Sequence, residues 1–172
     1  GNEIPDEKVG ELKAGFGAAL DALVGSRRAE GARLGEVVLG LVAEIDALRL
    51  AADAAARLQP DRHRDRLVAS VSALLAAVPA LPEERLAQEV ALLAAKSDVR
   101  EELDRLGSHI DAARSLLAAG GAVGRQLDFL VQEFLRETNT ICSKSGTRDL
   151  TTIGLQLKGV VEQMREQVQN LE

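Results

Sequence analysis

Two glutamates four residues apart, Glu133 and Glu137, fall on one side of any helix that contains them, with Arg136 beside them. Carboxylates so placed can hold a divalent cation or orient a water. Phosphodiester cleavage gains from either, because a hydrated cation stabilises developing charge or supplies a stronger nucleophile. The same spacing also suits a solvated face carrying an internal ion pair. Glu162, Glu166 and Gln169 form a similar face nearer the end of the chain and carry the same two readings. A second group lies in Glu101-Glu102-Leu103-Asp104-Arg105-Leu106-Gly107-Ser108-His109, which combines acids, an arginine and one of only two histidines. An imidazole exchanges protons near neutral pH, so His109 can act as general acid or base toward a ribose hydroxyl or a leaving oxygen. A hydrogen-bonded structural histidine is the competing reading.

A third group is basic: Arg62-His63-Arg64-Asp65-Arg66, with Arg27, Arg28 and Arg33. Exposed arginines contact phosphates, and they equally decorate solvated helix ends. Gly120-Gly121-Ala122-Val123-Gly124-Arg125 offers backbone amides at a helix start, but it lacks the lysine and Ser/Thr of a P-loop and reads as a simple connection. No Ser/His/Asp set is legible. Cys142 reads as a small buried side chain rather than a nucleophile.

The elements that would position these groups are helices. Hydrophobic residues make up 46% of the 172-residue chain, nearly all Ala, Leu and Val, with three Phe and no Trp or Tyr. That composition favours helix over strand. Pro5-Asp6-Glu7 suits a helix start, and a first helix is expected to run to about Val24. Leu34, Val38, Leu41, Ile45, Leu48, Ala52 and Ala55 then mark the apolar seam of a long helix from Gly31 to Leu58. At about 1.5 Å per residue it would span about 40 Å. Gly31 and Gly35, four apart, suit a close helix approach, or else glycines leave the first forty residues only marginally helical.

Gln59-Pro60-Asp61 breaks the long helix, and Leu67, Val71, Leu74 and Val78 let residues 62–78 return as the second arm of an antiparallel hairpin. Pro79-Ala80-Leu81-Pro82 ends that arm. A further apolar stripe runs from Leu86 to Leu117 with a kink expected at Lys96-Ser97-Asp98, and Gly120-Gly121 stops it. A helix over residues 122–142 should bury Leu127, Leu130, Phe134 and Ile141. Ser145-Gly146-Thr147 then caps a last helix with Leu150, Ile153, Leu157, Val160, Met164, Val168 and Leu171 on one side. The fold class is all-α: a long antiparallel helical hairpin plus a C-terminal helical bundle. Three segments are expected: 1–30 as linker or helix, 31–82 as the hairpin and 83–172 as a C-terminal helical domain.

The net charge of −6 argues against a protein that coats nucleic acid with a generally basic surface. Any such contact must be local or built from several subunits, and stacking platforms are limited to Phe16, Phe129, Phe134, His or Arg. No apolar run reaches bilayer length, and the first residues lack the features of a signal peptide. One cysteine cannot form an internal disulfide, which fits a reducing compartment. The chain opens with Gly1 and has Met164 as its only methionine, so it reads as part of a longer protein.

Specific strings go further than periodicity. Residues 124–140, Gly-Arg-Gln-Leu-Asp-Phe-Leu-Val-Gln-Glu-Phe-Leu-Arg-Glu-Thr-Asn-Thr, followed by Ser143-Lys144-Ser145, resemble the signature of the YicC-like endoribonucleases. So do Leu157-Lys158 and the run from Glu162 to Glu172, while Glu101 to His109 and Arg27 to Gly31 fall in the expected order. The resemblance implies a bacterial, cytoplasmic endoribonuclease that cuts single-stranded RNA with Mn²⁺ or Mg²⁺, without an organic cofactor or a membrane. It also implies a homo-oligomer, a hexamer, and an N-terminal domain absent from this chain. On that resemblance His109, Glu133 and Glu137 are the expected catalytic residues, and Glu102, Asp128, Glu133 and Glu137 the expected metal ligands. Arg105, Arg125, Gln132, Arg136, Asn139 and Lys144 are expected to hold RNA. The alternative is a noncatalytic oligomerisation or RNA-adaptor module whose polar block organises subunits.

Overall fold

The computed structural model describes residues 5–57 and 98–169, with Ala69, Ala73, Glu84, Gln88 and Ala91 as single helical positions between them. Four helices and no strand are found among the described residues: α1 (Asp6–Arg57), α2 (Arg100–Ala119), α3 (Gly124–Lys144) and α4 (Arg148–Val168). The all-α expectation holds. Apart from those single positions, the returning arm at 62–78 and the stripe from Leu86 to Leu93 lie outside the described residues.

The start of α1 falls where Pro5 and Asp6 predict it, with the Val9 amide donating to the Pro5 carbonyl. The expected break between Val24 and Gly31 is absent, and one helix of 52 residues runs through. Glycine lowers helix propensity by about 1 kcal/mol but stops a helix only where the chain enters the left-handed region. Only Gly120 and Gly121 do so among the described residues, at φ 67° and 83°. Nor do Gly31 and Gly35 bring helices together, since a β-carbon at either would meet nothing within 4 Å.

Beyond about Leu34, α1 buries Val38, Val42, Ile45 and Ala52, with Leu41 and Leu48 packed alongside. Before that point it leaves Leu12, Phe16, Leu20 and Leu23 exposed. The buried half packs against α2 and α4, α2 packs against α3, and α3 against α4, which closes a four-membered ring of helices. Leu103, Leu106 and Ile110 of α2, Leu127, Phe134 and Ile141 of α3, and Leu150, Leu157 and Met164 of α4 fill its centre.

Short connections make α2, α3 and α4 successively antiparallel. The α2 helix begins after Asp98 and Val99, both non-helical, at the place where the sequence predicts a kink. The Asp98 carboxylate accepts from the Arg100 amide at 3.0 Å, and Glu101 and Glu102 favour the positive end of the helix. Gly120 and Gly121 end it. Thr147 caps α4, its hydroxyl accepting from the Leu150 amide at 3.3 Å. The α3–α4 seam closes tightly at Gly154, where an added β-carbon would lie 2.9 Å from Cys142 Sγ.

Candidate functional site

Glu102, Arg105 and His109 recur at spacings of three and four on α2, so they share one face. Glu133, Glu137 and Lys144 share a face of α3 in the same way. Because the two helices run antiparallel, these faces meet in reverse order: Glu102 beside Lys144, Arg105 beside Glu137 and His109 beside Glu133.

At one end Lys144 Nζ donates to Glu102 Oε1 at 2.9 Å and to the Asp98 carbonyl at 3.1 Å. Arg105 follows, donating through a terminal nitrogen to Glu102 Oε1 at 3.2 Å and through Nε to Glu137 Oε1 at 3.0 Å. Its other terminal nitrogen pairs with Glu101. The bond to Glu137 pushes the Arg105 pKa up from the usual arginine value, so its charge is fixed. Glu102 and Glu137 are 3% and 2% exposed. Burying a carboxylate costs several kcal/mol unless partners repay it, and here the repayment is incomplete. Glu102 Oε2 and Glu137 Oε2 are buried without a hydrogen-bond partner, as is the Thr138 hydroxyl.

One turn further along, ligand atoms of His109, Glu133 and Glu137 all lie within 4.8 Å of one another. His109 Nε2 is also buried without a hydrogen-bond partner and stands 4.0 Å from Glu133 Oε2. The buried Phe134 ring lies edge-on to the imidazole, with centroids 6.3 Å apart, and limits how it can turn. Arg136 NH1 approaches Glu133 Oε2 at 3.7 Å from the solvent side. An imidazole nitrogen and two carboxylates form a donor set that would suit a divalent ion. His109, Glu133 and Glu137 are the residues that could hold a cation here.

Of the residues that the sequence singles out, His109, Glu133, Glu137, Arg105, Glu102, Arg136 and Lys144 meet in this seam. Asp128 stands apart, its carboxylate taken by Gln132 at 3.0 Å. Asn139 is exposed on α3. Arg125 lines a shallow cavity near the start of α3. Glu162 pairs with Arg165 at 3.2 Å on α4. Arg27 and Arg28 line a separate cavity of about 810 Å³ between α1 and the end of α2. The run from Arg62 to Arg66 lies outside the described residues.

A second ionic node has no counterpart among the sequence expectations. Asp46 of α1 accepts from Arg49 Nε at 3.0 Å and from Arg114 of α2 at 2.8 Å, through different oxygens. Burial pushes the Asp46 pKa up, but the hydrogen bonds from Arg114 and Arg49 outweigh it and hold the carboxyl below the usual range. A partner 68 residues away leaves no local signal in sequence.

Comparison with known proteins gives the family of the chain. A family model described as endoribonuclease YicC-like, C-terminal, matches residues 52–172. The Haemophilus influenzae protein named probable endoribonuclease YicC is 39% identical over 167 residues, which cover 94% of this chain and 55% of that protein. A Clostridioides difficile protein of the same name is 43% identical over 110 residues, covering 64% of this chain and 38% of its own length. This chain thus spans about half the length of the curated relatives it matches. With residues 52–172 matching the C-terminal domain that carries the α2–α3 cluster, the chain belongs to the YicC-like endoribonuclease family.

Proposed function

We propose that this chain supplies the metal-binding half of an endoribonuclease that cuts single-stranded RNA. One observation carries the reading: His109, Glu133 and Glu137 converge while Glu137 Oε2 and His109 Nε2 remain buried and unpartnered. A fold under pressure only to be stable would satisfy those atoms or replace them with apolar groups.

In this reading His109, Glu133 and Glu137 hold a divalent cation. Such an ion would supply charge stabilisation at the scissile phosphate and a more acidic water. Arg105 is a positioning residue, fixing Glu137 through Oε1 and leaving Oε2 without a hydrogen-bond partner. Lys144 and Arg105 together neutralise Glu102 behind it. Arg136, at the solvent edge beside Glu133, is placed to meet an incoming phosphate. An imidazole among the donors favours Mn²⁺ over Mg²⁺, whose preference is for oxygen and retained water.

A second reading, a noncatalytic oligomerisation or adaptor module, is favoured by the exposed stripe Leu12, Phe16, Leu20 and Leu23 on α1, which suits packing against another helix. The two are compatible in a cytoplasmic homo-oligomer, hexameric by resemblance, in which α1 assembles subunits. No described helix is long and apolar enough to cross a membrane.

The test measures Mn²⁺ binding to this chain by calorimetry alongside cleavage of labelled RNA by this chain and by the full-length protein. Ion binding that His109→Ala removes, with faster cleavage by the full-length protein in Mn²⁺ than in Mg²⁺, supports the nuclease. A defined oligomer that binds no ion and cuts nothing in either length supports the adaptor.

A further inference from the structure

The α2–α3 seam continues past the metal cluster. His109, Ala112 and Leu116 follow one another along α2, and Glu133, Leu130, Phe129, Gln126 and Arg125 along α3 in the opposite direction. Ala112, Leu116, Arg125, Gln126, Phe129 and Leu130 line a shallow cavity of about 620 Å³ at that end. Its walls are mostly apolar, and the polar residues that line it are Ser115, Arg125 and Gln126. Phe129 is 60% exposed. Of the three phenylalanines in the chain, Phe134 is in the core and Phe16 lies on the far half of α1, so Phe129 is the only one presented beside the cluster.

We infer that this cavity is a nucleobase subsite, in which a base next to the scissile bond stacks on Phe129 while Arg125 meets a neighbouring phosphate. The inference rests on the ribonuclease reading and adds to it where the strand lies. Phe129 and Glu133 are one helical turn apart, a rise of about 6 Å, which places the ring within a nucleotide's reach of the cluster. Stacking suits any base, since each has a π-face, and the Gln126 amide can donate to and accept from a base edge. Arg125 offers the local positive charge that an acidic chain needs to hold RNA.

The test couples a protein substitution to a substrate deletion in the full-length protein. Oligoribonucleotides with a mapped cut are made with single abasic positions on either side of it. Binding is followed by fluorescence anisotropy in EDTA and cleavage in Mn²⁺. Phe129→Ala should weaken RNA binding about five- to a hundredfold and raise KM, with kcat and Mn²⁺ affinity unchanged. Phe129→Trp should restore affinity. One abasic position should cost the natural protein a similar factor and cost Phe129→Ala nothing further. Abasic penalties of equal size in both proteins would overturn the subsite while leaving the nuclease in place. Altered sedimentation of Phe129→Ala with unchanged RNA affinity would overturn it in favour of a protein contact. A natural full-length protein that cuts no RNA would bring down the subsite and the nuclease reading together.

Discussion

The α1–α2 seam and the α2–α3 seam each set a carboxylate against arginine, and they finish the task differently. Asp46 has both oxygens occupied, one by Arg49 and one by Arg114. Glu137 is more deeply buried, yet only one of its oxygens has a partner. Two groups of the same chemistry in the same bundle thus separate into a closed node and an open one. A closed node holds helices together. An open one, on the function proposed above, keeps a lone pair available for a cation.

The sharpest way to break this comparison is to neutralise each carboxylate in turn. Glu137→Gln should lower RNA cleavage by the full-length protein on the order of a hundredfold or more and abolish Mn²⁺ binding, because a buried ligand is lost. Its urea midpoint should move little by comparison. If cleavage by this variant is normal, the open node has no chemical role. Arg105→Met should lower the urea midpoint of the chain, since it strands Glu137 and leaves Glu102 to Lys144 alone. The loss is smaller than for a fully buried pair, because the guanidinium is 43% exposed and partly solvated. Asp46→Asn should cost about 1 kcal/mol and leave kcat and KM unchanged. A cleavage defect there would erase the distinction between the nodes.

A smaller effect appears in the pH dependence. Burial raises the Asp46 pKa and its arginine hydrogen bonds lower it by more, while the Arg100 hydrogen bonds lower that of Asp98. Both groups are therefore harder to protonate folded than unfolded. Their contribution is fully present above the ordinary aspartate value of about 3.9 and drains as pH falls through the lowered folded values. Asp46→Asn should flatten the acid limb of a stability profile below about pH 4. A limb of unchanged slope would mean that the closed node contributes no net stabilisation.

Much of this architecture is legible in the amino-acid sequence. The stop at Gly120-Gly121 and the cap at Thr147 follow from residue chemistry alone, and so does the shared face of Glu133 and Glu137. The buried stripes of α2, α3 and α4 follow from spacing. What spacing cannot supply is which face of a polar helix turns inward. Glu137 and Thr138 sit in a run that reads as solvated, and their burial depends on the register between α2 and α3, which is set by how Leu106, Ile110, Leu130 and Phe134 interdigitate. Pairing across 32 residues, as between Arg105 and Glu137, leaves no periodic trace. In α1 residue chemistry misleads in the other direction, because glycines that merely weaken a helix look the same in sequence as glycines that end one.

The candidate site is carried mid-helix on α2 and α3, on residues whose neighbours form the centre of the bundle, and this has a thermal consequence. Sites mounted on loops lose competence before their scaffolds melt, since loops open at low free energy. Here the elements that align His109, Glu133 and Glu137 are the ones whose melting is the unfolding transition. Heat inactivation and the loss of helical ellipticity from this part of the protein should therefore fall at one temperature, with no warm interval in which the bundle stands and the ligands have drifted apart.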